Sequence, residues 1–291
     1  MSGGRSVYVL RTGCRPATSS INSELDRSPQ PSGQRAKLAP APSCYFVSFV
    51  VSLNMSIAEN IARVRERLHS AALRANRDPN SIALMAVSKT FPAESIHEAY
   101  AAGLRFFGEN RVQEFATKFG NVQSLSDARF HMIGHLQTNK AAKAAELFHA
   151  VDSVDSLRLA QKLDDSAAKL GKRLRVLIGI NVGGEAAKSG TASTSAELES
   201  LLATAPALSN LEIRGLMTVP PFNEDPQAAR PYFRQLRELR DRLAARNFPN
   251  VRLDELSMGM SHDFEVAIEE GSTCVRVGTA IFGVRPKPAN T

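Results

Sequence analysis

The pattern of apolar and polar positions changes abruptly at Met55. From there Ile57, Ile61, Val64, Leu68 and Ala72 recur at helical spacing, and Ser56 is followed three residues later by Glu59, a capping box. A helix is therefore expected from Ser56 to about Ala75. Next comes an apolar run of strand length, residues 82–90, which carries Lys89 at its end and is broken by Phe91-Pro92 before a helical pattern starts at Ala93. Further strands are expected at 105–108, 130–133, 150–154, 174–182, 211–218, 253–258 and 274–277. Helical patterns begin between them near Arg111, Asn139, Ser156, Ser195, Asp225 and Asp263. Each of the first seven β segments is thus followed by a helix, which predicts a parallel sheet with helices on its faces. Eight such units in roughly 230 residues fit a (β/α)8 TIM barrel preceded by an N-terminal helix. No Gly-x-Gly-x-x-Gly follows the first strand, which argues against a dinucleotide-binding sheet.

Residues 1–54 show neither period and are rich in Ser, Pro, Arg and Gly, so they cannot build a core. The expected division is a disordered or misannotated extension at 1–54 and a barrel at 55–291. Scarce acid and abundant Arg and Ser fit a transit peptide, but the prolines around Pro31 interrupt any amphipathic helix. Residues 44–53 are apolar like a signal core, yet their preceding segment is too long for one. We read Met55 as the native start, which implies a cytoplasmic protein, with an organellar one as the alternative.

Composition narrows the function classes. The net charge is +7, but residues 1–54 hold six basic and two acidic residues, leaving +3 on the other 237. No basic stripe interleaved with aromatics appears there, so nucleic acid is not an expected partner. No apolar run approaches the length of a membrane span. Cys14, Cys44 and Cys274 are too few and scattered for a disulfide framework or a zinc site, which suits a reducing compartment.

In a parallel barrel the chemistry lies at the C-terminal ends of the strands. Partial desolvation of Lys89 there favours a neutral, nucleophilic amine, although the strand alone is read more simply as a lysine whose stem packs while its ammonium reaches water. Strands seven and eight end in Ser257-Met258-Gly259-Met260-Ser261 and Gly278-Thr279, whose hydroxyls and glycines suit an anion; taken alone they are turn residues. Arg276 lies two residues before Gly278 and faces the same way. An inward arginine needs an acceptor, either a carboxylate such as Glu109 or a ligand atom. Closing the barrel makes strand one a neighbour of strand eight. Lysine for an aldehyde, amide donors for a phosphate and arginine for a ring nitrogen together match pyridoxal 5′-phosphate.

These stretches carry a family resemblance. Ala-Val-Ser-Lys89-Thr, Phe-Gly-Glu-Asn110-Arg111, Ile-Gly-His135-Leu-Gln-Thr-Asn139-Lys, Gly-Leu-Met217-Thr, Leu-Ser-Met258-Gly-Met-Ser261 and Arg276-Val-Gly-Thr-Ala-Ile-Phe-Gly283 resemble, in order, motifs of the pyridoxal phosphate homeostasis proteins. These are single-domain barrels similar to the N-terminal domain of alanine racemase, and the match runs from about Met55 to Arg285. The resemblance implies Lys89 as the Schiff-base lysine, Ser261, Gly278 and Thr279 as phosphate ligands, Arg276 facing the pyridine nitrogen, and Asn110 and Met258 lining the pocket. His262 departs from the family, where a small or acidic residue is usual, and takes no assigned role.

The resemblance also implies a cofactor carrier with no established catalytic residue. Its partners would be the cofactor and pyridoxal phosphate-dependent apoenzymes as recipients, and its state a monomer or weak homodimer. The rival is a cofactor-dependent racemase or lyase. Racemisation needs acid and base groups on both faces of the substrate, and in the resembling racemases one is a tyrosine from a second domain not expected here. A cofactor-free barrel lyase using Lys89 would be colourless. His131 and His135, four apart but straddling a strand end, are read as structural with no metal site expected. Cys274 is read as a buried strand residue, Met217, Met258 and Met260 first of all as core, and the charged helix from Asp225 to Arg246 as a solvated face.

Overall fold

The computed structural model describes residues 55–184 and 190–284; the expectations for residues 1–54 lie outside them. Helix α1 (Ile57–Arg74) starts at the anticipated capping box. Ser56 Oγ accepts the Glu59 N–H at 3.2 Å, and the Glu59 carboxylate accepts the Ser56 N–H at 2.8 Å. The helix buries Ile61, Val64, Leu68, Ala71 and Ala72 along the predicted face.

Eight strands then close a barrel in chain order, with β8 returning to β1 and every neighbouring pair parallel. They are β1 (Ala83–Val87), β2 (Phe106–Glu109), β3 (Arg129–Met132), β4 (Ala150–Val154), β5 (Leu174–Gly179), β6 (Leu211–Met217), β7 (Val251–Met260) and β8 (Cys274–Val277). Between and after them run α2 (Ala93–Ala101), α3 (Val112–Val122), α4 (Ala141–Leu147), α5 (Leu157–Lys169), α6 (Ala196–Thr204), α7 (Arg230–Ala244), α8 (Phe264–Glu269) and α9 (Thr279–Phe282). Strand alternation sends one set of side chains outward against the helices. Phe107, Phe130, Phe115 and Phe148 form one such stack, with ring centroids 4.7–5.4 Å apart. Among the described residues no helix is long and apolar enough to cross a membrane.

Several boundaries differ from the sequence reading. β1 stops at Val87, so Lys89 lies in the turn beyond the strand. β5 stops at Gly179 and β7 runs longer than expected at both ends. The helices expected near Asn139 and Asp225 begin at Ala141 and Arg230, each after a short 3-10 turn. Pro226 accounts for the second delay: Asp225 caps that turn through a 2.9 Å bond from the Gln227 N–H, and the α-helix follows it.

Candidate functional site

β1 and β8 pair through Ala83↔Cys274 to Ala86↔Val277, which places Met85 level with Arg276. Lys89 therefore emerges next to the loop that begins at Gly278. On its other side, Val87 pairs with Gly108 of β2, and Ser88 N–H donates to the Gly108 carbonyl at 3.0 Å. Lys89 is half-buried.

The two stretches expected to hold an anion meet as the sequence suggested. The Gly278 and Ala280 N–H groups both donate to Ser261 Oγ, at 3.1 and 3.3 Å, while Thr279 is exposed beside them. Two amide donors aimed at one hydroxyl oxygen form a small cradle in which an anion oxygen is chemically at home. The loop bearing Ser261 is held by Asp263, whose carboxylate accepts the Met260 N–H at 2.6 Å; burial pushes that carboxyl above the usual range.

Arg276 lies buried inside the barrel. Its guanidinium donates to Ser257 Oγ and to the Thr218 carbonyl, both at 2.7 Å. Burial disfavours its charge, and carboxylates at longer range, Asp152 and Asp263, offset part of that cost. The expected alternative partner is wrong: Glu109 does not meet Arg276. Glu109 shares a face of β2 with Phe107 and points toward α3, where it accepts from Ser88 Oγ at 2.8 Å and from Lys118 Nζ at 3.2 Å. The two residues thus lie on opposite sides of the sheet. Burial pushes the Glu109 carboxyl above the ordinary range, and Lys118 opposes that shift.

Asn110, Ile133, Gly134, Ser153, Met217 and Thr218 are among the residues lining a cavity of about 220 Å³ at this mouth. Gly134 leaves room for Asn110, since a Cβ there would lie 2.3 Å from the Asn110 carbonyl oxygen and 2.4 Å from its Oδ1. Of the residues the resemblance points to, only Asn110 lines that cavity; Lys89, Ser261, Arg276, Gly278, Thr279 and Met258 do not, and Met258 differs from the others in its place in the core. It has no exposed surface and belongs to the apolar cluster beneath the helices. His131 and His135 go separate ways, His131 to buried Asp152 at 3.0 Å and exposed His135 to Asp155 at 3.2 Å. His262 Nε2 donates to the Glu224 carbonyl at 2.9 Å, near the Phe222 ring. Cys274 is buried as expected, and burial pushes its thiol up to about 12.

Sequence reasoning missed Thr218 and Ser257 as the partners of Arg276, and missed the Glu109–Lys118 pair altogether. The second had a usable signal: Glu114 and Lys118 are spaced i,i+4 at the start of a helix, and an acid on the helix side of a strand needs a cation nearby.

A larger cavity, about 1000 Å³, opens at the opposite mouth and is lined by Arg105, Arg175, Asp254, Glu255 and Cys274 among others. Two of its arginines are matched by carboxylates of the chain, Arg175 by Glu255 and Arg105 by Asp127, while exposed Arg65 donates to the Gly103 carbonyl at 3.1 Å.

Comparison with known proteins agrees with this arrangement. The family profile described as alanine racemase, N-terminal domain, matches residues 55–286. The pyridoxal phosphate homeostasis protein of Aquifex aeolicus is 47% identical over 231 residues, covering 79% of this chain and 99% of the relative. PipY of Synechococcus elongatus, solved with PLP bound, is 40% identical with a TM-score of 0.70, covering 78% of this chain and all of that one. An alanine racemase from Clostridium difficile shares the fold alone, at 15% identity and a TM-score of 0.59 over 77% of this chain and 60% of its own. With its barrel, its lysine turn and its relatives in agreement, this chain belongs to the pyridoxal phosphate homeostasis protein family.

Proposed function

We propose that this protein binds pyridoxal 5′-phosphate at the C-terminal mouth of its barrel and serves cofactor homeostasis as a carrier, holding the aldehyde on Lys89. Condensation joins the Lys89 nitrogen to the aldehyde carbon and releases one water, and hydrolysis returns both partners. The observation that carries the reading is the convergence of a half-buried lysine, two backbone N–H donors on Ser261 Oγ, and a buried arginine on three adjoining strands. This donor set fits the group: Ser261, Gly278 and Thr279 would hold its phosphate, Arg276 would face its pyridine nitrogen, and Asn110 would border its ring. When bound, the cofactor supplies an electrophilic carbon and a conjugated ring.

The chain's own residues restrict the chemistry open to the bound group. A guanidinium remains a donor, so Arg276 keeps the facing nitrogen an acceptor and weakens the ring as an electron sink. The names of the relatives support a carrier rather than an amino-acid racemase or lyase. Recipients would be apoenzymes that use the same cofactor, and the site of action would be the cytoplasm.

Adding pyridoxal phosphate to the purified protein should produce a visible absorption band that Lys89→Ala abolishes. A variant that kept the band would overturn the tether. Conversion of L-alanine to its D form at ordinary enzymatic rates would replace the carrier by an enzyme.

A further inference from the structure

The turn that presents Lys89 is unfavourable by itself. Ser88 to Phe91 form a four-residue turn closed by the Phe91 N–H on the Ser88 carbonyl at 3.1 Å. Lys89 and Thr90 are its central residues. Thr90 has φ +67°, a left-handed conformation that a β-branched residue avoids and that glycine usually fills. Such a residue persists only where its surroundings hold it.

The surroundings here are three charged side chains at one edge of α3. Lys118 Nζ, largely buried, donates to the Ser88 carbonyl at 3.2 Å, to Glu109 at 3.2 Å and to Glu114 at 2.7 Å. Glu109, wholly buried, takes the Ser88 hydroxyl at 2.8 Å. Glu114 takes the Thr90 N–H at 2.6 Å. The residues immediately before and after Lys89 are thus each held by one connected network. Burial alone would raise the Glu114 carboxyl, but hydrogen bonds from Lys118 and the Thr90 amide bring it below the usual range.

We propose that Lys118, acting with Glu109 and Glu114, is the positioning residue of Lys89: it clamps both flanks of a strained turn so that the amine is aimed at the aldehyde before the cofactor arrives. This rests on the reading of Lys89 as the tether. Preorganisation speeds capture by removing the need to order the turn during binding. The clamp touches neither phosphate nor ring, so phosphate affinity is left to Ser261, Gly278 and Thr279.

The test is stopped-flow capture of pyridoxal phosphate by the full chain, read from the visible band, beside inorganic phosphate binding by calorimetry. Lys118→Met should slow capture by about tenfold, the worth of one charge-assisted hydrogen bond, and Glu114→Gln by about threefold. Phosphate affinity should stay within about twofold of the parent in both, since the donors that hold it are untouched. Thr90→Asn, which tolerates the left-handed conformation, should restore part of the rate in the Lys118→Met background. Should Lys118→Met fail to fold, Glu114→Gln decides. Capture at the parent rate in the folded variants overturns the clamp while leaving the tether intact. Equal losses of capture and phosphate binding also overturn it, because the effect would then be general. A band that survives Lys89→Ala instead removes the tether on which the clamp depends.

Discussion

At the N-terminal mouth of the barrel Arg105, Arg175 and Arg214 each meet carboxylates of the chain itself, whereas at the C-terminal mouth Arg276 donates to a serine hydroxyl and a backbone carbonyl. The first mouth has the larger cavity, about 1000 Å³ against about 220 Å³. Cavity size would select it, and charge matching selects the other. An arginine already neutralised by Glu255 or Asp127 has little left to offer a ligand. One satisfied by neutral acceptors keeps its charge available, and a parallel barrel places its βα loops around that end. An arginine held by neutral acceptors, as Arg276 is, keeps more of its charge for a ligand than one held by a carboxylate.

The comparison breaks if substitutions at the two mouths have the same consequences. The largest effect is expected for Arg276→Met, which should lower cofactor affinity about 100-fold by removing a charged donor from the ring nitrogen, measured as Kd on folded protein. Glu255→Gln comes next: it withdraws a carboxylate from Arg175 and Arg214 and should cost about 2 kcal/mol in denaturant unfolding, with Kd unchanged within about twofold. Gly134→Ala forces a methyl group onto Asn110 and should weaken affinity about tenfold, a smaller loss at the C-terminal mouth.

The smallest effect concerns pH. A hydrogen bond from Arg214 holds the Glu212 carboxyl below the usual range, so its contribution to stability is fully present above the unfolded value and is lost as pH falls through the folded one. Burial raises Glu109, whose contribution has the opposite sign, present at low pH and lost as pH rises through its folded value. Unfolding free energy measured from pH 7 down to pH 3 should therefore decline less in Glu212→Gln than in the parent, by at most about 1 kcal/mol because the pair is partly exposed.

Much of the architecture was legible because it is written in local signals. Ser56, Ser156 and Ser195 cap the helices that begin beside them, and alternating strand and helix patterns order the barrel. The placement of Lys89, Ser261, Arg276 and Gly278 at adjoining strand ends was legible because a barrel that closes makes its first strand a neighbour of its last. Met258 lies in the core, as a methionine is first of all expected to. Between β7 and β8 the register runs Ser257↔Cys274 and then Met260↔Arg276, one extra residue on β7. Over residues 256–258 the alternation is nevertheless simple: Ser257 faces Arg276, while Leu256 and Met258, two residues apart, both join the helix-side cluster. Thr218 lies 58 residues from Arg276, and no spacing rule reaches that far. Glu109 was assigned inward by position along the strand, although its neighbour two residues back, Phe107, already marks its face as the helix side.

One amine at the C-terminal mouth, that of Lys89, is proposed as the cofactor's point of attachment. Borohydride reduction of the protein saturated with pyridoxal phosphate, followed by proteolysis and mass mapping, tests it directly. A single stoichiometric adduct is expected on Lys89, with Lys118 unmodified. A principal adduct on Lys118 or on any other lysine, with Lys89 unlabelled, would contradict it.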